Sequence, residues 1–130
     1  MGPGITLLVT PDRANQSFLA TALEAQGLEV LRAEHFDKAL KIFLLHKPPC
    51  VIIEYPVHVA GGLDLVRALQ PFRAAVTKVV AIVPHGPLDG VRPVADHEVD
   101  LLIRMPLSAG EIAARSARLF LPEPLQGPAG

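Results

Sequence analysis

Two stretches of this chain, "CVII" (50–53) and "VVAIV" (79–83), are apolar at every position. A strand sends successive side chains to opposite faces of its sheet, so a strand that is apolar at both parities must be covered on both faces. A parallel sheet with helices above and below meets that demand, and its strands need crossover connections between them. The rest of the sequence supplies both parts. Apolar runs at 5–9, 28–33, 50–55, 78–83 and 100–105 read as five strands. Between and after them lie segments with helical spacing at 12–27, 35–47, 61–70, 87–99 and 108–121. Strict alternation of this kind predicts a doubly wound α/β fold.

Local signals set the boundaries. Asp12 is suited to cap the first helix, Gly27 to stop it, and Phe18, Leu19, Ala22 and Leu23 are expected on its buried face. In the second helix Phe36, Ala39, Leu40, Phe43 and Leu44 share a face, and Pro48 and Pro49 end it. Pro71 closes the third. The fourth, over 87–99, is weak because Gly90 and Pro93 interrupt it. The last opens with Ser108 and Glu111 in capping-box spacing and shows a partly apolar face of Ile112, Ser116, Leu119 and Phe120. Residues 122–130, rich in Pro and Gly, read as a tail or linker, leaving one domain over 1–121.

Composition narrows the function classes. Half of the 130 residues are hydrophobic, ample for a core of this size. Twelve basic and thirteen acidic residues give a net charge of -1, so neither nucleic acid nor an acidic membrane surface is an expected partner. The single cysteine, Cys50, opens an apolar strand and is expected to be a buried, inert thiol. No apolar run approaches the length of a membrane span, and the N-terminus lacks the basic region of a signal peptide. The expectation is a cytoplasmic domain.

In doubly wound folds chemistry sits at the carboxyl ends of the strands. Here those ends carry Thr10, Pro11 and Asp12 after the first strand, Glu34 and His35 after the second and Glu54 after the third. Val83, Pro84 and His85 follow the fourth, and Arg104, Met105 and Pro106 end the fifth. With this pattern, "LLVTPD", "VIIEYPVHVAGG" and "LLIRMPL", the chain resembles the response-regulator receiver domain, the CheY-like phosphoacceptor module of two-component signalling. The resemblance covers residues 4 to 121. It implies a flavodoxin-like (βα)5 sandwich with strand order 2-1-3-4-5. It also implies which positions would carry chemistry. Thr10 and Pro11, with Asp12 just after, stand where the family has paired acids for Mg²⁺. Glu54 stands at the phosphorylated aspartate, Val83 at the Ser or Thr that senses the phosphoryl group, and Met105 at the lysine that precedes a usually cis proline.

The scaffold therefore resembles a receiver and the chemistry departs from one. Phosphoryl transfer to a carboxylate needs hard oxygen ligands for Mg²⁺, and Thr10 and Pro11 supply no carboxylate. Val83 cannot donate a hydrogen bond and Met105 carries no charge. The departures are mutually consistent, since a lysine left without the acids would be an unpaired, half-buried cation. Glu54 could mimic a phosphoryl group, but with its readers missing the favoured reading is a solvated carboxylate at a loop mouth. His58 and His85 show no ligand spacing, so no metal is expected; His35, His46 and His97 read as surface residues. "GGLDL" (61–65) lacks the lysine of a phosphate loop and reads as a turn into a helix, with Asp64 placed favourably for the helix dipole.

The expectation is a pseudo-receiver: no enzyme, no cofactor, a module that binds a protein partner or a second copy of itself. The resemblance places that contact on the fourth helix, fifth strand and fifth helix, where Val91, Arg92, Val94, Arg104, Arg115 and Arg118 are candidates. Two alternatives stand beside it. One is a receiver phosphorylated by unusual chemistry. The other is a flavodoxin-like binder of a small molecule in a strand-end cleft lined by Val83, Pro84 and Met105.

Overall fold

Five strands form one parallel sheet in the computed structural model, which describes residues 4–55, 64–74, 76–84 and 93–120, the side chain of Phe120 excepted. They are β1 (Ile5–Val9), β2 (Glu29–Ala33), β3 (Cys50–Glu54), β4 (Lys78–Val83) and β5 (Leu101–Arg104). The order is β2-β1-β3-β4-β5, the expected one. The helices are α1 (Arg13–Ala25), α2 (Phe36–His46), α3 (Leu65–Leu69) and α4 (Ala109–Phe120). None among the described residues is long and apolar enough to cross a membrane.

Strand parity splits the core in two. Leu7, Val9, Val51, Ile53, Val79 and Ala81 pack with α2 and α3 on one face. Leu8, Ile52, Val80, Ile82 and Ile103 pack with α1 and α4 on the other. The apolar runs of β3 and β4 are thus explained position by position. Cys50 is 1% exposed, and burial pushes its thiol up to about 12. It therefore stays protonated and unreactive at neutral pH.

The helix ends follow sequence chemistry. Asp12 Oδ1 accepts hydrogen bonds from the backbone N–H groups of Ala14 (2.8 Å) and Asn15 (3.1 Å), two donors that α1 cannot satisfy itself. At the other end Gly27, at φ 91°, lets its N–H reach Glu24 O while the Leu28 N–H reaches Leu23 O, which closes a Schellman motif. Asp64 caps α3 through the Arg67 N–H at 3.0 Å. The Ser108 hydroxyl caps α4 by accepting from the Glu111 N–H at 3.1 Å, while the Glu111 carboxylate lies 3.9 Å from Arg115.

Three expectations are corrected. The buried face of α1 is Gln16, Leu19, Ala20 and Leu23, and Phe18 is 68% exposed. Gln16 earns the inward place because its amide donates to Ala33 O at 3.0 Å, joining α1 to the end of β2. In α2, Leu44 lies outside the buried stripe of Phe36, Ala39 and Phe43. Within the expected fourth helix, residues 93–99 make only a 3-10 turn, Asp96–Glu98. There Pro93 has no N–H to donate, and the Ala95 N–H is taken by the Glu98 side chain at 2.9 Å. The rest of that segment, with Leu88, Gly90, Val91 and Arg92, lies outside the described residues.

At the amino ends of β4 and β5 a polar bracket replaces apolar packing. The Arg73 guanidinium reaches Glu98 O (2.9 Å), Thr77 O (3.0 Å) and Asp100 Oδ2 (2.7 Å). Asp100 Oδ2 also accepts the Val79 N–H at 2.8 Å. One side chain thereby ties the loop before β4 to the entry of β5.

Candidate functional site

The carboxyl ends of β1, β3, β4 and β5 converge at one end of the sheet, as the topology requires. Thr10 is fully buried where β1 ends. Its N–H donates to Ala33 O (3.1 Å), and its hydroxyl donates to Asp12 O (3.1 Å) while accepting the Asp12 N–H (3.3 Å). Both Thr10 and Asp12 are therefore committed to the first turn of α1. Pro11 between them is exposed and has no donor. Glu34, at the end of β2, stands apart, 3.3 Å from Lys38 and 3.8 Å from Arg13. The Lys38 hydrogen bond holds its carboxyl below the usual range.

Glu54 closes β3 in register with Ile82 and is half-buried. Its Oε1 is inaccessible to solvent and has no hydrogen-bond partner among the described residues. Beside it, the Tyr55 N–H donates to Ile82 O (2.8 Å), so sheet pairing continues past the strand's last residue. The Met105 N–H donates to Val83 O (2.9 Å), and the Met105–Pro106 bond is cis, as the resemblance implied.

These residues border a cavity of about 520 Å³ between the strand ends and the helices α1 and α4. The strand ends give it Glu54, Tyr55, Ile82, Pro84 and Met105. Helix α1 gives it Asn15, Phe18 and Leu19, with Pro11 just before, and the approach to and body of α4 give it Leu107, Ala109 and Ile112. The expected cleft is present, with one correction. Val83 packs into the α2–α3 side of the core and does not line it; Ile82, of opposite parity, does. The α1 and α4 contributors were missed because a lone apolar residue on a helix carries no sequence mark of cavity or core.

A divalent cation does not fit this arrangement. The Thr10 hydroxyl and the Asp12 carboxylate already serve the turn and the helix cap, and among the described residues Glu54 is the one carboxylate that lines the cavity. No group of three or more His, Cys, Asp or Glu able to hold a metal occurs among the described residues. His58 and His85 lie outside them.

The candidate interface residues fall into three groups. Arg104, Arg115 and Arg118 are exposed on β5 and α4. Val94 is partly buried and packs against the core on the α2–α3 side. Val91 and Arg92 are outside the described residues. His35, His46 and His97 are exposed, as expected.

No family model matches the chain. Among curated proteins it is similar to the KDP operon transcriptional regulatory protein KdpE of Escherichia coli, 28% identical over 109 residues covering 84% of this chain and 48% of the relative. It is similar as well to the phosphate regulon transcriptional regulatory protein PhoB of Pseudomonas aeruginosa, 27% identical over 114 residues covering 86% and 50%. The chain thus spans about half the length of these relatives. Among solved structures, a response regulator receiver domain protein of Clostridium thermocellum superposes with a TM-score of 0.71 at 20% identity, covering 90% of this chain and 94% of the other. The fold is that of the CheY-like receivers.

Proposed function

We propose that this receiver works without the standard phosphorylation cycle, as a module that regulates by binding another protein. It is no enzyme in this reading. The observation that carries it is the first turn of α1, where Thr10 and Asp12 are held by backbone hydrogen bonds in place of a cation. The aliphatic Val83 and Met105 point the same way, because neither can bind a phosphoryl oxygen. Glu54 fits a receiver whose acceptor position no longer accepts. Incubation with acetyl phosphate and Mg²⁺, followed by intact-mass measurement, is expected to leave the mass unchanged. Calorimetric titration is expected to show no saturable Mg²⁺ binding in the physiological millimolar range. Gain of one phosphoryl group, mapped to Glu54, overturns the reading in favour of a receiver phosphorylated by unusual chemistry.

The partner is a signalling or output protein, or a second copy of the chain. The names of the relatives mark them as transcriptional regulators, and the chain matches about half of each, which fits a regulatory module that serves an output partner. Arg115 and Arg118 lie three residues apart on α4, exposed, with Arg104 exposed at the end of the adjoining sheet. They suit the polar rim of an interface. Arg115→Glu and Arg118→Glu are expected to fold like the parent and to slow association roughly tenfold at low salt, with less effect at high salt. Association kinetics identical to the parent's at low salt would move the interface to another face.

A further inference from the structure

We infer that the outward flank of α2 docks an acidic amphipathic helix of a partner protein. The inference rests neither on the reading of phosphorylation nor on the α4 arginines.

Helix α2 is more apolar than its place in the fold requires. Phe36, Ala39 and Phe43 already fill its core-facing stripe. A second stripe runs along its flank. Leu40, partly buried, and Leu44, 42% exposed, lie one turn apart, and Leu45, 71% exposed, lies beside them. With Asp37 and Lys41 these leucines line a shallow depression, the kind of surface on which a second helix packs. The stripe does not stand alone. The Lys78 N–H donates to Pro49 O at 2.8 Å, so the chain leaving α2 and the chain entering β4 run side by side at the amino edge of the sheet. Phe72 and Val76, both exposed, lie on the connection from α3 to β4. Four of the five exposed large hydrophobics among the described residues thus fall on α2 and that connection. Scattered singly they would need no account, but gathered at one edge they mark a contact surface.

Charge selects the occupant. Lys41 lies within the stripe and Lys47 at the end of the helix, and neither makes an ion pair among the described residues. Asp37, in the first turn, is the one acid of α2. Lys47 moreover holds the left-handed region, φ 45°, where glycine is favoured. A partner helix with leucines against the stripe and glutamates toward the two ammonium groups answers both the apolar surface and the charge. A second copy of the chain would bring the same lysines toward one another. A membrane surface takes helices whose main apolar face is free, and the core already holds that face of α2.

The test uses the full chain, labelled with ¹⁵N, at physiological ionic strength. The probe is a synthetic amphipathic peptide with leucines at helical spacing and glutamates and alanines elsewhere. A control peptide carries lysine in place of every glutamate. The acidic peptide is expected to shift the amide signals of Lys41, Leu44 and Leu45 saturably and to bind about tenfold tighter than the control. Lys41→Glu is expected to weaken it about tenfold. Leu45→Asp changes an exposed site, should fold like the parent, and is expected to abolish saturable binding. Lys47→Gly is expected to raise the urea midpoint and yet weaken the peptide, because glycine suits the left-handed position while the charge is lost. Weaker binding by a more stable variant cannot be laid to unfolding. Arg115→Glu is expected to bind the peptide as the parent does. The inference is overturned if the acidic peptide produces no saturable shifts, if the control binds as tightly, or if the three α2 variants bind like the parent. It is overturned equally if Arg115→Glu abolishes binding, which moves the contact to α4. Vesicles of phosphatidylserine that shift the α2 signals where the peptide does not would assign the face to a membrane, and sedimentation showing that the parent pairs with itself through Leu45 would assign it to a second copy; either result overturns the inference.

Discussion

Truncating Ile52 and Ile53 together to alanine is expected to leave the chain unfolded at room temperature. Each side chain is fully buried at the centre of β3, the strand flanked by β1 and β4. Ile52 belongs to the α1–α4 half of the core and Ile53 to the α2–α3 half. Each single substitution should cost about 2–5 kcal/mol, from lost burial plus the cavity left behind. Because the sheet backbone separates the two sites, the losses should add to within a few tenths of a kcal/mol. Their sum rivals the whole stability of a domain, about 5–15 kcal/mol. Urea unfolding of both single variants, with circular dichroism of the double one, checks this. A double variant that loses less than either single loss would show that the halves repack as one.

Arg73→Ala comes next in size, with an expected loss of about 3 kcal/mol. The guanidinium is largely buried and satisfies two carbonyls as well as the Asp100 carboxylate. Removing it leaves the Asp100 carboxylate, 26% exposed, with the Val79 N–H as its remaining partner among the described residues. Arg73→Lys should recover only part of the loss, because one ammonium cannot span three acceptors that a planar fork reaches. Denaturant midpoints of the two variants give the ordering. Asp100→Asn in the Arg73→Ala background should cost less than in the parent, since the charge it removes is by then unpaired.

Most of the fold was legible in the sequence, and the reason is visible in β3 and β4. Their apolar residues at both parities demand cover on both faces, and the demand was met as read. Two caps were legible too, because Asp12 and Ser108 act within three residues of themselves, whereas Asp64, read as a first-turn residue favoured by the helix dipole, is the cap of a helix that begins only at Leu65. What escaped was long-range. Gln16 faces inward because of Ala33 O, seventeen residues away, and helical spacing alone favoured Phe18 for burial. The Arg73 bracket spans 25 to 27 residues and has no periodic signature. At the site, the strand-end residues were found because topology fixes them, whereas the α1 and α4 walls depend on helix rotation. The Val83 misplacement is a parity error at a strand's last residue, where one step changes the face.

The turn from Thr10 to Asn15 has a bearing on how this sequence can change. Thr10 has no exposed surface, and Asp12 holds two amides of α1. An aspartate at position 10 would break the hydroxyl's two contacts and seal a charge in the interior. Turning Asp12 toward a cation would strip the helix of its cap, at a cost of about 1 kcal/mol. Neither step brings any return until the other is made. Routes to a Mg²⁺ site through Thr10 and Asp12 therefore pass through less stable intermediates, whereas the exposed Pro11 between them carries neither cost.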